Sequence, residues 1–124
     1  MKLLLDTHAL LWWLADEELA PSARAEIADP GNLVAVSAAS AWEISIKKAL
    51  GKLAAPDDLA QQIEVNEFVP LPIAIAHALA AGQLPRHHAD PFDRMLIAQA
   101  QIERLTVVSR DKRFDDYDVA VLTA

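Results

Sequence analysis

Short apolar runs that stop on or near a carboxylate, each followed by a stretch of helical character, constrain this chain most. Lys2-Leu3-Leu4-Leu5 stops at Asp6, and Leu105-Thr106-Val107-Val108-Ser109 leads through Arg110 to Asp111. A run with no polar alternation is a strand buried on both faces, as strands of parallel sheets are. Parallel neighbours need long crossovers, and the segments between the runs supply them. Thr7 can cap a helix from His8 to Ala15, and Pro21 opens a second through Ile27. Asp29-Pro30-Gly31-Asn32 is a turn, and Leu33 to Val36 is the second strand. Ser37 or Ser40 then caps a helix that reaches Leu50, with Gly51 as its stop.

Pro56 starts another helix with Asp57 and Asp58 in its first turn, and Phe68-Val69 is a weak third strand. Ile73 to Ala81 reads as a helix ended by Gly82, followed by an irregular loop from Leu84 to Ala89. A last helix runs from Pro91 or Phe92 to about Glu103. Leu105 to Val108 is the fourth strand, and Val119 to Leu122 a possible fifth. The pattern predicts an α/β fold, a three-layer α/β/α sandwich on a mainly parallel sheet of four to five strands. With no repeat or linker in view, it predicts one domain over residues 1–124.

The apolar fraction of 53% is ample for a core and excludes a disordered chain. The absence of cysteine excludes disulfides, thiolate zinc sites and cysteine nucleophiles, and fits a reducing cytoplasm. Asp6 follows the first leucines too soon for a signal peptide, and no run approaches a membrane span. A net charge of −7 argues against a general nucleic-acid binder. That objection weakens if several acids share one cation site. Phosphate contacts would then fall to a few residues, among them Lys47, Lys48, Arg94, Arg110, Lys112 and Arg113.

Asp6, Glu43, Asp93 and Asp111 each lie where a strand ends or a helix begins. In an open α/β sheet those places border the ligand crevice, and converging carboxylates repel unless a hard cation such as Mg²⁺ sits among them. On the helix ending at Leu50, Ala39, Trp42, Ile46 and Leu50 form an apolar stripe into which Glu43 projects. A carboxylate facing a core needs a partner, and a salt bridge to a Lys or Arg would serve as well as a metal. Asp93 shares a helix face with Leu96, Ile97 and Ala100, although an acid in a first turn also suits the helix dipole. Asp90, with Pro91 behind it, reads first as an N-cap and second as a ligand. Asp6 could be a turn residue, and Asp111 could cap Lys112-Arg113-Phe114. All four at one crevice edge by chance is much less expected than any one of them. Acids holding one or two divalent ions would suit in-line phosphoryl displacement, and no Gly-rich phosphate loop is present.

The histidines speak more softly. His87-His88 reads as a solvated loop pair in preference to a substrate-orienting one, His8 could reach the crevice rim, and His77 packs in an alanine-rich helix. Adjacent Trp12 and Trp13 point to different faces, one into the core and the other out as an interface anchor.

Four segments together resemble the PIN-domain family. They are Lys-Leu-Leu-Leu-Asp6-Thr7-His8, Ser40-Ala-Trp-Glu43-Ile-Ser-Ile-Lys47, His88-Ala-Asp90-Pro-Phe-Asp93-Arg94, and Ser109-Arg-Asp111. The order matches and the resemblance spans the chain; it is nearest to the VapC-type toxins of toxin–antitoxin pairs. The resemblance implies a Mg²⁺- or Mn²⁺-dependent endoribonuclease, a homodimer, and a cognate antitoxin that lies across the active site. Carried over by motif, Asp6, Glu43, Asp93 and Asp111 are the catalytic and metal-holding quartet, with Asp90 as a further candidate ligand. Ser109 is expected to hydrogen-bond a bound water, and Arg94 and Arg110 to contact phosphate. A non-catalytic PIN-like module that binds metal or a basic peptide is the alternative. An aspartyl-phosphate enzyme fits poorly, since His8 stands where its second Asp belongs.

Overall fold

The computed structural model describes residues 1–124. Strands β1 (Lys2–Leu5), β2 (Leu33–Ser37), β3 (Val69–Leu71), β4 (Thr106–Ser109) and β5 (Val121–Thr123) form one sheet in the order β3-β2-β1-β4-β5. Every pairing is parallel. The crossovers carry α1 (Thr7–Ala15), α2 (Pro21–Ala28), α3 (Ala38–Ala49), α4 (Leu59–Val65), α5 (Ile75–Gln83) and α6 (Pro91–Glu103), with a 3₁₀ turn at Lys112–Asp116.

β1 explains the layering. Leu3 and Leu5 enter one core with Leu10, Ala23, Ile27 and Ile44, while Leu4 enters the other with Leu96, Ile97, Val107 and Phe114. Successive strand side chains face opposite ways, so a strand apolar on every residue needs a helical layer on each side. The α/β/α architecture with a parallel sheet is as expected, and the fifth strand forms.

Several boundaries moved for local reasons. Asp6, not Thr7, caps α1: its side chain accepts from the Ala9 N–H, and Thr7 is already helical. α4 begins at Leu59 and not at Pro56, since Asp58 keeps a non-helical backbone and Asp57 is drawn into an ion pair with Lys48. β3 is shifted to Val69–Leu71 and contains Pro70, which an edge strand tolerates. Gly82 lies inside α5 and does not end it.

The largest correction concerns α3. Trp42 and Leu50 are exposed (61% and 63%), and the buried side carries Ala39, Ser40, Glu43 and Ile44. α3 packs between α1 and α6, and its small residues allow that approach. Glu43 is therefore buried, but not by the stripe that seemed to include it. Trp12 and Trp13 are both half-buried against the same core, so neither is an exposed anchor.

Candidate metal centre

β1 is flanked by β2 on one side and β4 on the other, and the chain reverses its direction of winding between them. Such a switch point opens a crevice beyond the carboxyl ends of the strands. Asp6 follows β1 there, and its N–H donates to the Val108 carbonyl of β4 at 3.1 Å. Asp6 Oδ1 accepts from the Ala9 N–H at 2.8 Å. Burial pushes the Asp6 carboxyl above its ordinary value, opposed by the hydroxyl of Ser109, the Ala9 N–H and His8, and reinforced by the charge of Glu43.

Glu43 is held by two partners. Thr7 Oγ1 donates to Oε1 at 2.5 Å, and Lys47 Nζ to Oε2 at 2.5 Å. The salt bridge that could explain an inward carboxylate is thus present, one helical turn away. The hydrogen bond to Glu43 raises Lys47, and the charges of Asp90 and Asp93 add to the effect. Ser40, three residues before Glu43 on the buried side of α3, has a hydroxyl with no hydrogen-bond partner in the chain.

Asp93 lies at the mouth of α6, its side chain 18% exposed. His88 Nε2 stands 2.7 Å from Asp93 Oδ2. Burial is the main cause that lifts Asp93 to about 6; His88 opposes it, while Asp90 and Asp6 add to it. Asp111 caps the 3₁₀ turn through the Arg113 N–H at 2.9 Å, and Arg113 grips the same carboxylate through Nε and Nη2. Arg113 holds Asp111 below the usual carboxylate range. Donor atoms of His88, Asp93 and Asp111 all lie within 4.8 Å of one another.

That donor set fits a divalent cation. It offers two carboxylates and an imidazole, and the burial that raises Asp93 is the kind that a nearby positive charge relieves. Asp6 and Glu43 stand beside the trio, close enough for the charge of Asp6 to reach Asp93 and that of Glu43 to reach Asp6. Asp90 caps α6 through the N–H groups of Phe92 and Asp93, at 2.8 and 3.1 Å.

Two expected phosphate contacts point elsewhere. Arg94 spends its guanidinium on the carbonyls of Ala81, Leu84, Pro85 and His88 and on the Tyr117 hydroxyl, at 2.9–3.5 Å. It braces the loop before α6 from within. Arg110 lies over Trp12, 4.1 Å from the ring centroid, and donates to the carbonyls of Ala124 and Glu18. Ser109 is buried, and its Oγ accepts from the Asp111 N–H at 3.0 Å.

His88 is the residue that sequence reading undervalued. It is buried on Asp93, and its backbone N–H donates to the Tyr117 hydroxyl at 2.9 Å. Its spacing of five before Asp93 carried no helical signal, since a loop and a cap separate them. His77, by contrast, packs as expected: it is buried, with Nδ1 accepting from the Ala74 N–H.

Known proteins resemble this chain in sequence and in fold. The chain is 27% identical over 117 residues to Ribonuclease VapC22 of Mycobacterium tuberculosis, covering 89% of this chain and 87% of that one. Its fold matches VapBC2 from Rickettsia felis bound to a promoter DNA fragment (TM-score 0.73, 13% identity, 98% of both chains). It also matches FitAcB from Neisseria gonorrhoeae (TM-score 0.66, 22% identity, 98% of this chain and 96% of that one). The PIN domain profile matches residues 3–120, and the chain belongs to the PIN-domain family.

Proposed function

We propose that this PIN-domain chain is the ribonuclease toxin of a toxin–antitoxin pair and cuts RNA internally with a divalent cation, Mg²⁺ or Mn²⁺. The observation that carries the reading is the gathering of His88, Asp93 and Asp111 within 4.8 Å at the switch-point crevice, with Asp6 and Glu43 beside them. The ribonuclease name of the Mycobacterium relative and the toxin–antitoxin complex from Klebsiella pneumoniae among the fold matches support it.

Asp93 and Asp111 would hold the cation, with His88 keeping the Asp93 carboxylate in place. When bound, the cation supplies charge to the phosphate and acidifies a water. Asp6, anchored to α1 through Oδ1, has the Ser109 hydroxyl on its carboxyl, and the pair would orient a water beside the cation. Glu43, pinned by Thr7 and Lys47, sets the negative potential behind that oxygen. A cognate antitoxin, a homodimer and a cytoplasmic location follow from the same reading; no helix is long and apolar enough to cross a membrane.

The test is cleavage of RNA by the purified chain with Mg²⁺ or Mn²⁺, beside Asp6→Asn and Asp93→Asn. The variants are expected to lose at least 100-fold, a loss on the order of 3 kcal/mol in barrier. Activity equal to the parent in both variants, or activity in EDTA, defeats the proposal. The internal pairs Lys47–Glu43 and Arg113–Asp111 favour a second reading, a non-catalytic module whose acids are already neutralised. Induced expression in bacteria separates the two: growth arrest relieved by Asp93→Asn supports the nuclease, and the absence of arrest supports the module.

A further inference from the structure

An acidic protein that grips RNA needs cations not already spent on its own acids. Arg24, Lys47, Lys48 and Arg113 are in ion pairs, and Arg94 and Arg110 are committed to carbonyls. Lys2, Lys52, Arg86, Arg104 and Lys112 make no ion pair; of these five, only Arg86 lines the cavity at the loop that leads into the candidate centre, two residues before His88.

That loop is polarised. Arg94 occupies the carbonyls of Leu84, Pro85 and His88 with its guanidinium. The N–H groups of Arg86, His87 and Ala89 find no acceptor in the chain. A cavity of about 490 Å³ opens here, lined by Gly82, Arg86, His87, His88, Ala89 and Arg94, with a single apolar residue among the six. His87 packs edge-on against Tyr117, 5.3 Å between centroids, which fixes one wall. His88 belongs both to this cavity and to the trio with Asp93 and Asp111. Unbonded N–H groups beside an unpaired guanidinium make an anion-binding concavity, and its size suits a nucleotide unit.

Resting on the nuclease reading, we propose that this cavity is a phosphate subsite for single-stranded RNA, in which Arg86 and the loop N–H groups hold a phosphodiester next to the one that is cut. Arg86 supplies the charge and the fork. Arg94 is a positioning residue that holds the loop by its carbonyls. His88 links the subsite to the acids, since it lines the cavity and stands against Asp93.

The experiment measures binding of a fluorescein-labelled single-stranded oligoribonucleotide to the full chain in EDTA, over a range of salt. Arg86→Gln is compared with Arg104→Gln, which removes an equal charge at the far end of α6. Arg86→Gln should weaken binding roughly tenfold, as for one charged hydrogen-bonded contact, and flatten the salt slope by about 0.7. Arg104→Gln should match the parent. Inorganic phosphate at equal ionic strength should displace the oligonucleotide from the parent better than chloride does, and should lose that advantage in Arg86→Gln. Equal affinity and slope for Arg86→Gln and Arg104→Gln overturn the subsite, and so does phosphate that competes no better than chloride. Adding Mn²⁺ to the same mixtures reports on the nuclease reading separately: binding that depends on Arg86 without cleavage keeps the subsite and removes the enzyme.

Discussion

Asp93 stands where burial and charge oppose one another. Its carboxyl is pushed up to about 6, chiefly by loss of water, while His88 at 2.7 Å pulls the other way. An acid whose folded pKa lies above its unfolded value of 3.8 keeps its proton longer in the native state. Unfolding then releases a proton between 3.8 and about 6. The contribution of Asp93 to stability is fully present below that window, falls through it, and stays low above it. Metal-free parent protein should lose stability across this range, and Asp93→Asn should flatten the decline. At pH 7 the variant is expected to be the more stable, by on the order of 2 kcal/mol from a shift of this size. Urea unfolding in EDTA at several pH values checks this; a parent more stable than the variant at pH 7 contradicts it. Asp111 has the opposite sign, since Arg113 lowers it, and its contribution is lost only in acid.

At the scale of elements, the loop from Leu84 to Asp90 and the first turn of α6 form one device. Pro91 presets the turn without a donor, and Asp90 accepts from both Phe92 and Asp93. The cap also fixes where Asp93 leaves the helix, so it acts on the candidate centre without touching a ligand. Asp90→Ala should cost about 1 kcal/mol of stability. If Asp90 is also a ligand, cation affinity falls with it; Asp90→Ser, which restores the cap alone, separates the two roles. Calorimetric titration with Mn²⁺ on both variants reads the difference. Arg94, expected at phosphate, works in this element as the brace of the loop. Sequence phase could place it off the apolar face of α6, but the carbonyls of residues ten and thirteen positions earlier come to it only through the fold.

On the scale of the whole molecule, the sheet centre carries the fold. Leu4 is fully buried between β2 and β4, in the core that α6 covers. Leu4→Ala should cost about 2–5 kcal/mol through lost transfer energy and the cavity left behind. The measurement is a denaturant midpoint with an unchanged slope; a cost below about 1 kcal/mol would mean that the core closes over the gap.

Much of this was legible in the chain. Uniformly apolar strands called for a sheet covered on both faces, because burying Leu3, Leu4 and Leu5 at once takes a layer on each side, and the helical stretches between the strands supplied the crossovers that parallel pairing needs. Pro91 after Asp90 determined a cap, and carboxylates at the strand ends marked the crevice. Tertiary structure decided the rest. It set the rotation of α3, which exposes Trp42 and buries Glu43, because helix phase follows from what α1 and α6 leave open. It brought His88 onto Asp93, and it spent Arg94 and Arg110 away from the crevice while leaving Arg86 unpaired beside it. Local sequence sets periodicity and caps through neighbours a few residues apart. Which charges meet is decided by segments distant in sequence, and only the folded chain brings those together.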